Sequence, residues 1–307
     1  MANLKELSAR PRRLTSGHRL CAGCGAPIVV QQALMAVDDP VVVGCATGCL
    51  EVATTIYPYT AWRCSWIHNA FENTAATVSG IEAAYRSLKK QGKIDQEIKF
   101  IAFGGDGGTY DIGFQSLSGA MERGHNMVYI CYDNGAYMNT GIQRSSATPK
   151  GAATTTSPAG RVIPGKPAHR KDLTGIMAAH KIPYVAQVSP SHWNDLVAKV
   201  KKAVEVEGPA FINALAPCPR GWRYDPAETV KLARLAVDTC YWPLFEVEEG
   251  KWRLTYRPGE KKPLEDFLKP QGRFKHLFTE EQNRPILEEL QAYVDKGWEE
   301  LLKRCED

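Results

Sequence analysis

The 307-residue chain has no run approaching the roughly eighteen consecutive apolar residues that a membrane helix requires, and its first residues carry no hydrophobic signal core. Those absences set aside a membrane span and an export signal, and they give the expectation of a cytoplasmic protein. Charge of one sign is scarce as well: 38 Lys and Arg against 34 Asp and Glu leave a formal net charge of +4. So small an excess gives no global nucleic-acid footprint, and any basic docking surface is local, as in "ARPRRLTSGHR" near the start. Internal repeats are lacking too. What is plentiful is cysteine, nine in all, which in a reducing compartment reads as ligands, catalysts or core fillers before disulfides.

Short runs rich in Val, Ile, Phe and Tyr alternate with helical patterns. The runs at 40–46, 98–105, 126–134, 182–189 and 208–217 suit buried parallel strands, and the segments 72–92, 111–124 and 191–208 have helical spacing and each ends at a glycine. Such alternation predicts an α/β fold with a doubly wound, mostly parallel sheet, whose ligands sit at the carboxyl ends of its strands. Residues 140–170 break the rhythm with Gly, Pro, Ser and Thr, and a loop of that length reads as a lid or a partner-binding segment. Residues 1–235 then form the cofactor domain. Residues 236–307, with a hairpin at 244–258 and an amphipathic helix at 280–304, form a C-terminal appendage for packing or subunit contact.

"FIAFGGDGGTYDIG" (100–113) runs from a strand through a glycine turn into a helix. Gly105 and Gly107 let backbone N–H groups approach an anion, yet Asp106 between them would repel a diphosphate unless a cation intervened. Magnesium fits, since it takes six oxygens and commonly one or two from protein side chains. The next strand ends "CYDNGAYMNTG" (131–141), so Asp106 and Asn134 stand at two strand ends where one ion can be shared. A GDG followed at this spacing by an asparagine resembles the thiamine diphosphate signature. That resemblance implies magnesium held by Asp106, Asn134 and the backbone oxygen of Ala136.

Cys21 and Cys24 in "GHRLCAGCGAP" (17–27) form a Cys-x-x-Cys pair, which alone suits a redox dithiol, a zinc site or an iron–sulfur site. Cys45 and Cys49 follow one strand and Cys218 another, so two of them can complete a four-thiolate set at the magnesium edge. Four thiolates fit structural zinc or a [4Fe–4S] cluster. An electron acceptor explains their placement better, because thiamine diphosphate generates a carbanion equivalent that a one-electron centre can drain in two steps.

Together "HRLCAGCGAP", "ATGCLEV", "IYPYTAW", "IHNAFEN", "FGGDGGTYDIG", "YDNGAYMNTGIQRS" and "PCPRGW" resemble the β subunits of 2-oxoacid:ferredoxin oxidoreductases, nearest to the pyruvate type, over residues 15–275. The resemblance implies an oxygen-sensitive electron-transfer enzyme that converts a 2-oxo acid and coenzyme A, with oxidised ferredoxin, to acyl-CoA, carbon dioxide and reduced ferredoxin, reversibly. It implies cluster ligands Cys21, Cys24, Cys49 and Cys218, with Cys45 a competitor that spacing does not exclude. Asn139 would lie beside the reactive end of the cofactor as the catalytic amide, and Thr47 and Gly48 would line the same wall. The glutamate that activates the aminopyrimidine is expected from an α-type subunit of a hetero-oligomer that also has γ- and δ-type subunits. Coenzyme A and further clusters are expected mainly on those chains. Glu51 and Glu72 read as structural, His68 as a buried histidine heading a helix or as a proton shuttle, and the aromatic residues at 57–66 as packing or a substrate channel. Cys64, Cys131 and Cys240 read as core thiols, and Cys305 belongs to the tail. The rival readings are a non-redox thiamine enzyme with structural zinc and a scaffold subunit with a vestigial site.

Overall fold

The computed structural model describes residues 3–306. The strands are β1 Val41–Ala46, β2 Ser65–Asn69, β3 Lys99–Gly105, β4 Val128–Asp133, β5 Tyr184–Val188, β6 Ala210–Leu215, β7 Phe245–Glu248 and β8 Lys251–Leu254. They form one sheet in the order β2-β1-β3-β4-β6-β5-β7-β8. The first six are parallel, and β7 and β8 add an antiparallel edge. The doubly wound α/β expectation holds. β4, β5 and β6 are buried at every position, as parallel strands covered on both faces must be, whereas the edge strands β2 and β8 are largely exposed.

On one face, helices Gly25–Met35 and Trp193–Glu205 pack Val29, Val30, Leu196 and Val200 over Val43, Ile101, Ile130 and Ile212. On the other, helices Thr74–Lys90 and Phe114–Glu122 cover Phe100, Tyr129 and Phe211, and the long helix Arg284–Glu306 adds Leu301. Each fully buried aliphatic or aromatic side chain contributes about 1.5–3 kcal/mol, so these two layers hold the sheet rigid behind its carboxyl edge. A third cluster joins Trp222, Leu232 and Ala236 to Leu264, Phe267 and Leu290, tying the C-terminal segment to the turn that follows β6.

One expectation changes, at His68, and the 140–170 segment takes a definite form. Residues 140–170 contain no helix or strand, yet Ala147, Thr148, Ala152 and Lys166 are buried and the Lys166 ammonium donates to the carbonyls of Ser146, Thr148 and His169. The segment is therefore packed around 145–154 and 165–166, while 155–156, 158–163 and 167–168 are exposed, Val162 at 92%. His68 lies in the edge strand β2, not at the head of a helix; its side chain is 55% exposed and stands 3.0 Å from Glu51 Oε1.

Candidate cofactor and cluster site

The carboxyl ends of β1, β3, β4 and β6 lie side by side, with Gly105 opposite Tyr132 and Asp133 opposite Leu215. A cleft there is lined by Thr47, Gly48, Cys49, Gly105, Gly107, Asn134, Ala136 and Asn139, together with Phe71, Tyr132 and Tyr137. Residues from four separate sequence segments thus meet at one opening. After β3 the chain enters a π-helical turn, Gly107–Ile112, whose width brings successive backbone N–H groups around the strand end. A side chain at Gly107 would strike the Tyr137 ring, 2.4 Å from the Cβ position.

Asp106 is fully buried beside this turn. Its Oδ1 accepts from the Asn134 N–H at 3.2 Å and its Oδ2 from the Ser145 hydroxyl. The Asn134 carboxamide oxygen faces only acceptors, at 2.8 Å from both Asp106 Oδ1 and the Ala136 carbonyl oxygen. An inverted amide would donate to both. With its amide oxygen turned inward, Asn134 would present an oxygen 2.8 Å from each of those two, close to the ~3.0 Å edge of an octahedron built on ~2.1 Å magnesium bonds. Burial pushes the Asp106 carboxyl up to about 8, with the Asp133 charge adding, and a divalent cation at these oxygens favours the ionised form. The donor set fits magnesium and the glycine-lined cleft fits a diphosphate.

Partners that sequence reasoning missed hold this loop in place. Ser145 takes its geometry from Thr148, whose hydroxyl accepts the Ser145 N–H at 2.9 Å and donates to the Gly135 carbonyl at 2.7 Å. Asp133 Oδ1 accepts the Gly135 N–H at 3.1 Å, and its Oδ2 receives the Tyr110 hydroxyl at 2.6 Å and the Arg170 guanidinium. Arg170 in turn stacks on Trp242, 4.7 Å from the ring centre. Both ends of the 140–170 segment are thereby pinned to the strand ends. No local pattern marks Ser145 or Arg170, because their partners lie far away in the chain.

The Cys21–Cys24 turn is built against the segment that carries Cys218. Gly23 has φ +69° with its Cβ position 2.3 Å from the Pro226 carbonyl oxygen, and the Gly25 N–H donates to the Pro217 carbonyl at 2.9 Å. Only glycine fits at either position. Cys24 caps helix Gly25–Met35, Cys49 opens helix Cys49–Thr54, and Cys218 precedes the short helix Pro219–Trp222, accepting the Gly221 N–H at 3.3 Å on Sγ. Helix N-termini favour thiolates, but burial outweighs them here. It pushes Cys24 and Cys49 up to about 12, and the charges of Cys218 and Cys21 add at both. Cys218 is raised by burial as well, with Cys21 contributing.

Cys24 therefore lies within electrostatic reach of Cys218, Cys49 and Cys21. Cys45 stands apart: it sits in β1 with its side chain fully buried in the apolar core, and it is raised by burial and by Glu51, with no contribution from the other four. Among the described residues no three Cys, His, Asp or Glu side chains close around a single metal ion. Four cysteine thiols are a donor set that suits either a [4Fe–4S] cluster or structural zinc. Cys131 and Cys240 are buried core thiols, whereas Cys64 and Cys305 are half-buried.

Residues 42–214 match the thiamine pyrophosphate enzyme C-terminal TPP binding domain. Pyruvate synthase subunit PorB of Thermotoga maritima is 54% identical over 304 residues, covering 97% of this chain and 94% of that protein. The protein of the same name from Methanocaldococcus jannaschii is 56% identical, with 94% and 95% covered. Ketoisovalerate oxidoreductase subunit VorB of Pyrococcus furiosus is 45% identical, with 95% and 93% covered. Among solved structures, a chain of 2-oxoglutarate:ferredoxin oxidoreductase from Magnetococcus marinus superposes with a TM-score of 0.56 at 22% identity, covering 73% of this chain and 79% of that one.

Proposed function

The chain belongs to the PorB family of pyruvate synthase subunits, within the thiamine pyrophosphate enzymes, and from that membership we propose that it is the β subunit of a pyruvate:ferredoxin oxidoreductase. The reaction joins pyruvate and coenzyme A, with oxidised ferredoxin, into acetyl-CoA, carbon dioxide and reduced ferredoxin, and runs in either direction. The observation that carries this reading is the shared edge: Cys49 lines the same cleft as Gly105, Asn134 and Ala136 while belonging to the four-thiol set.

Bound thiamine diphosphate would supply the electron sink for decarboxylation, and a [4Fe–4S] cluster a one-electron acceptor beside it. The chain's own residues do the holding and orienting. Asp106, Asn134 and the Ala136 carbonyl would hold magnesium, and the N–H groups of the Gly107–Ile112 turn would meet the diphosphate. Asn139, exposed at the mouth of the cleft, would present its amide to the substrate oxygen. Thr47, whose hydroxyl and N–H both donate to the Asn69 carbonyl at 2.8 Å, fixes the wall that leads to Gly48 and Cys49. Cys21, Cys24, Cys49 and Cys218 would ligate the cluster.

None of the residues lining the cleft is acidic, which supports an activating glutamate donated by an α-type subunit. Tyr57 (93% exposed) and Tyr59, between helix Cys49–Thr54 and β2, and Ile112, at the end of the Gly107–Ile112 turn, are exposed, and they suit a contact with such a subunit in a complex that includes γ- and δ-type chains. An anaerobic pull-down followed by assay with a panel of 2-oxo acids, coenzyme A and a viologen dye tests the reading. Pyruvate-dependent dye reduction is expected. Preference for a branched-chain acid or 2-oxoglutarate would transfer the assignment to a relative with another substrate, and thiamine-dependent carboligation without dye reduction would overturn it.

A further inference from the structure

Five non-glycine residues among those described adopt positive φ, and Ile142, at +65°, is the one β-branched residue of the five. A side chain branched at Cβ tolerates the left-handed region poorly, so such a conformation persists only where neighbours impose it. Ile142 lies three residues beyond Asn139, in the loop that brings Asn139 to the mouth of the cofactor cleft. Tyr137 and Gln143 close this loop by exchanging N–H···O bonds of 2.9 and 3.2 Å. Its entry is fixed by packing, with the Tyr137 ring edge-on to Phe71 at 5.9 Å between centres. Its exit relies on hydrogen bonds, because Thr140 and Gly141 are exposed.

Within the loop, Gln143 ties back to Thr140, accepting its hydroxyl on Oε1 at 2.5 Å and donating from Nε2 to its carbonyl at 2.9 Å. From outside, Thr155 Oγ1 stands 2.9 Å from the Gly141 carbonyl and 3.0 Å from the Ile142 carbonyl, sharing its one proton between them. The Thr155 N–H donates to the Ile142 carbonyl as well, at 3.0 Å. Both peptide groups that flank the strained residue are thus held by a single threonine. Thr155 is itself anchored: it follows the buried residues 151–154, and the Ala153 N–H donates to the Arg273 carbonyl at 2.9 Å. Resting on the reading of the cleft given above, we propose that Thr155 is a positioning residue: it holds Ile142 in the left-handed conformation and so presets the Asn139 amide toward the substrate oxygen. A misplacement of about 1 Å can cost about 100-fold in rate, and loss of one clamp at an exposed loop is expected to cost about tenfold.

The test compares Thr155→Val, Thr155→Ser, Asn139→Ala and the Thr155→Val, Asn139→Ala double variant in the intact, anaerobically purified complex. Thr155→Val should lower kcat for dye reduction by the 2-oxo acid about tenfold and speed hydrogen exchange across residues 137–143, while iron content and thiamine diphosphate binding stay native. Thr155→Ser, which keeps the hydroxyl, should restore both. In the Asn139→Ala background the valine should cost nothing further, because a positioning residue acts only through the group it positions. Adding Ile142→Gly to Thr155→Val should recover part of kcat, since glycine takes a positive φ freely. Thr155→Val at native kcat beside an impaired Asn139→Ala, an equal loss in both backgrounds, or unchanged exchange would overturn the proposal and leave the reading of the cleft intact. Full dye reduction by Asn139→Ala would instead remove that reading of Asn139, and the proposal with it.

Discussion

The Ser145 hydroxyl donates to Asp106 Oδ2 across 39 residues of chain, inside a fully buried pocket. It holds the carboxylate that would carry magnesium and leaves Oδ1 free to face Asn134. Second-sphere partners of this kind set ligand orientation, and losing one costs 10–100-fold in metal affinity. Ser145→Ala is therefore expected to weaken magnesium about 10–100-fold, read as the magnesium dependence of thiamine diphosphate binding, with the iron content unchanged. An unaltered magnesium dependence would show that the contact is incidental.

Arg170 neutralises the buried Asp133 carboxylate one residue before Asn134. Breaking a buried pair by removing one partner costs about 3–5 kcal/mol because a charge is left stranded. Arg170→Met should lower stability by about that amount in denaturant titration, and a companion Asp133→Asn substitution should return part of it. If the double variant is as unstable as the single one, packing of the Arg170 stem on Trp242 is the larger effect.

Gly48 precedes Cys49, and a Cβ added there would stand 2.7 Å from the Tyr132 hydroxyl and 4.0 Å from the ring carbon that bears it. Overpacking of this kind costs about 1–3 kcal/mol. Gly48→Ala should destabilise the protein accordingly, and Tyr132→Phe should relieve the clash, since only ordinary contact then remains. Among the described residues the Tyr132 hydroxyl has no well-formed hydrogen-bond partner, so the phenylalanine alone should cost little. Thermal melts of the two single variants and the double variant complete the cycle.

Chelation separates the two metal functions. Treating the anaerobic complex with EDTA should release thiamine diphosphate along with magnesium, because the diphosphate is held through the ion, while the iron–sulfur absorbance persists. Loss of both together would mean that the cleft and the cradle are one cooperative unit.

How far the sequence can be read follows from the range of each signal. The strands ending at Gly105 and Asp133 are apolar runs closed by glycine or a carboxylate, and β6 is closed by Ala216 and Pro217, so β3, β4 and β6 and the placement of Asp106 and Asn134 were legible locally. The edge strand β2 was not: its pattern alternates poorly and its Trp66 and His68 are partly exposed, leaving no buried run to see. Cys45 and Cys49 are indistinguishable by spacing. Their roles separate only through the strand's two-residue period, which sends Cys45 into the core, and through the turn at Gly48, which starts a helix at Cys49. Ser145, Thr148 and Arg170 lie in a segment that reads as loose linker, because the donors and acceptors that pack it are tertiary partners.

The central claim is that Cys21, Cys24, Cys49 and Cys218 hold an iron–sulfur cluster at the cofactor edge and that Cys45 does not. Iron, acid-labile sulfide and zinc should be measured in anaerobically purified complex containing the native chain, Cys49→Ser or Cys45→Ser. The account predicts that Cys49→Ser lacks one cluster's complement of iron and sulfide while Cys45→Ser retains it, with no stoichiometric zinc in any preparation. Stoichiometric zinc lost with Cys49, or iron lost with Cys45 and kept with Cys49, would contradict it.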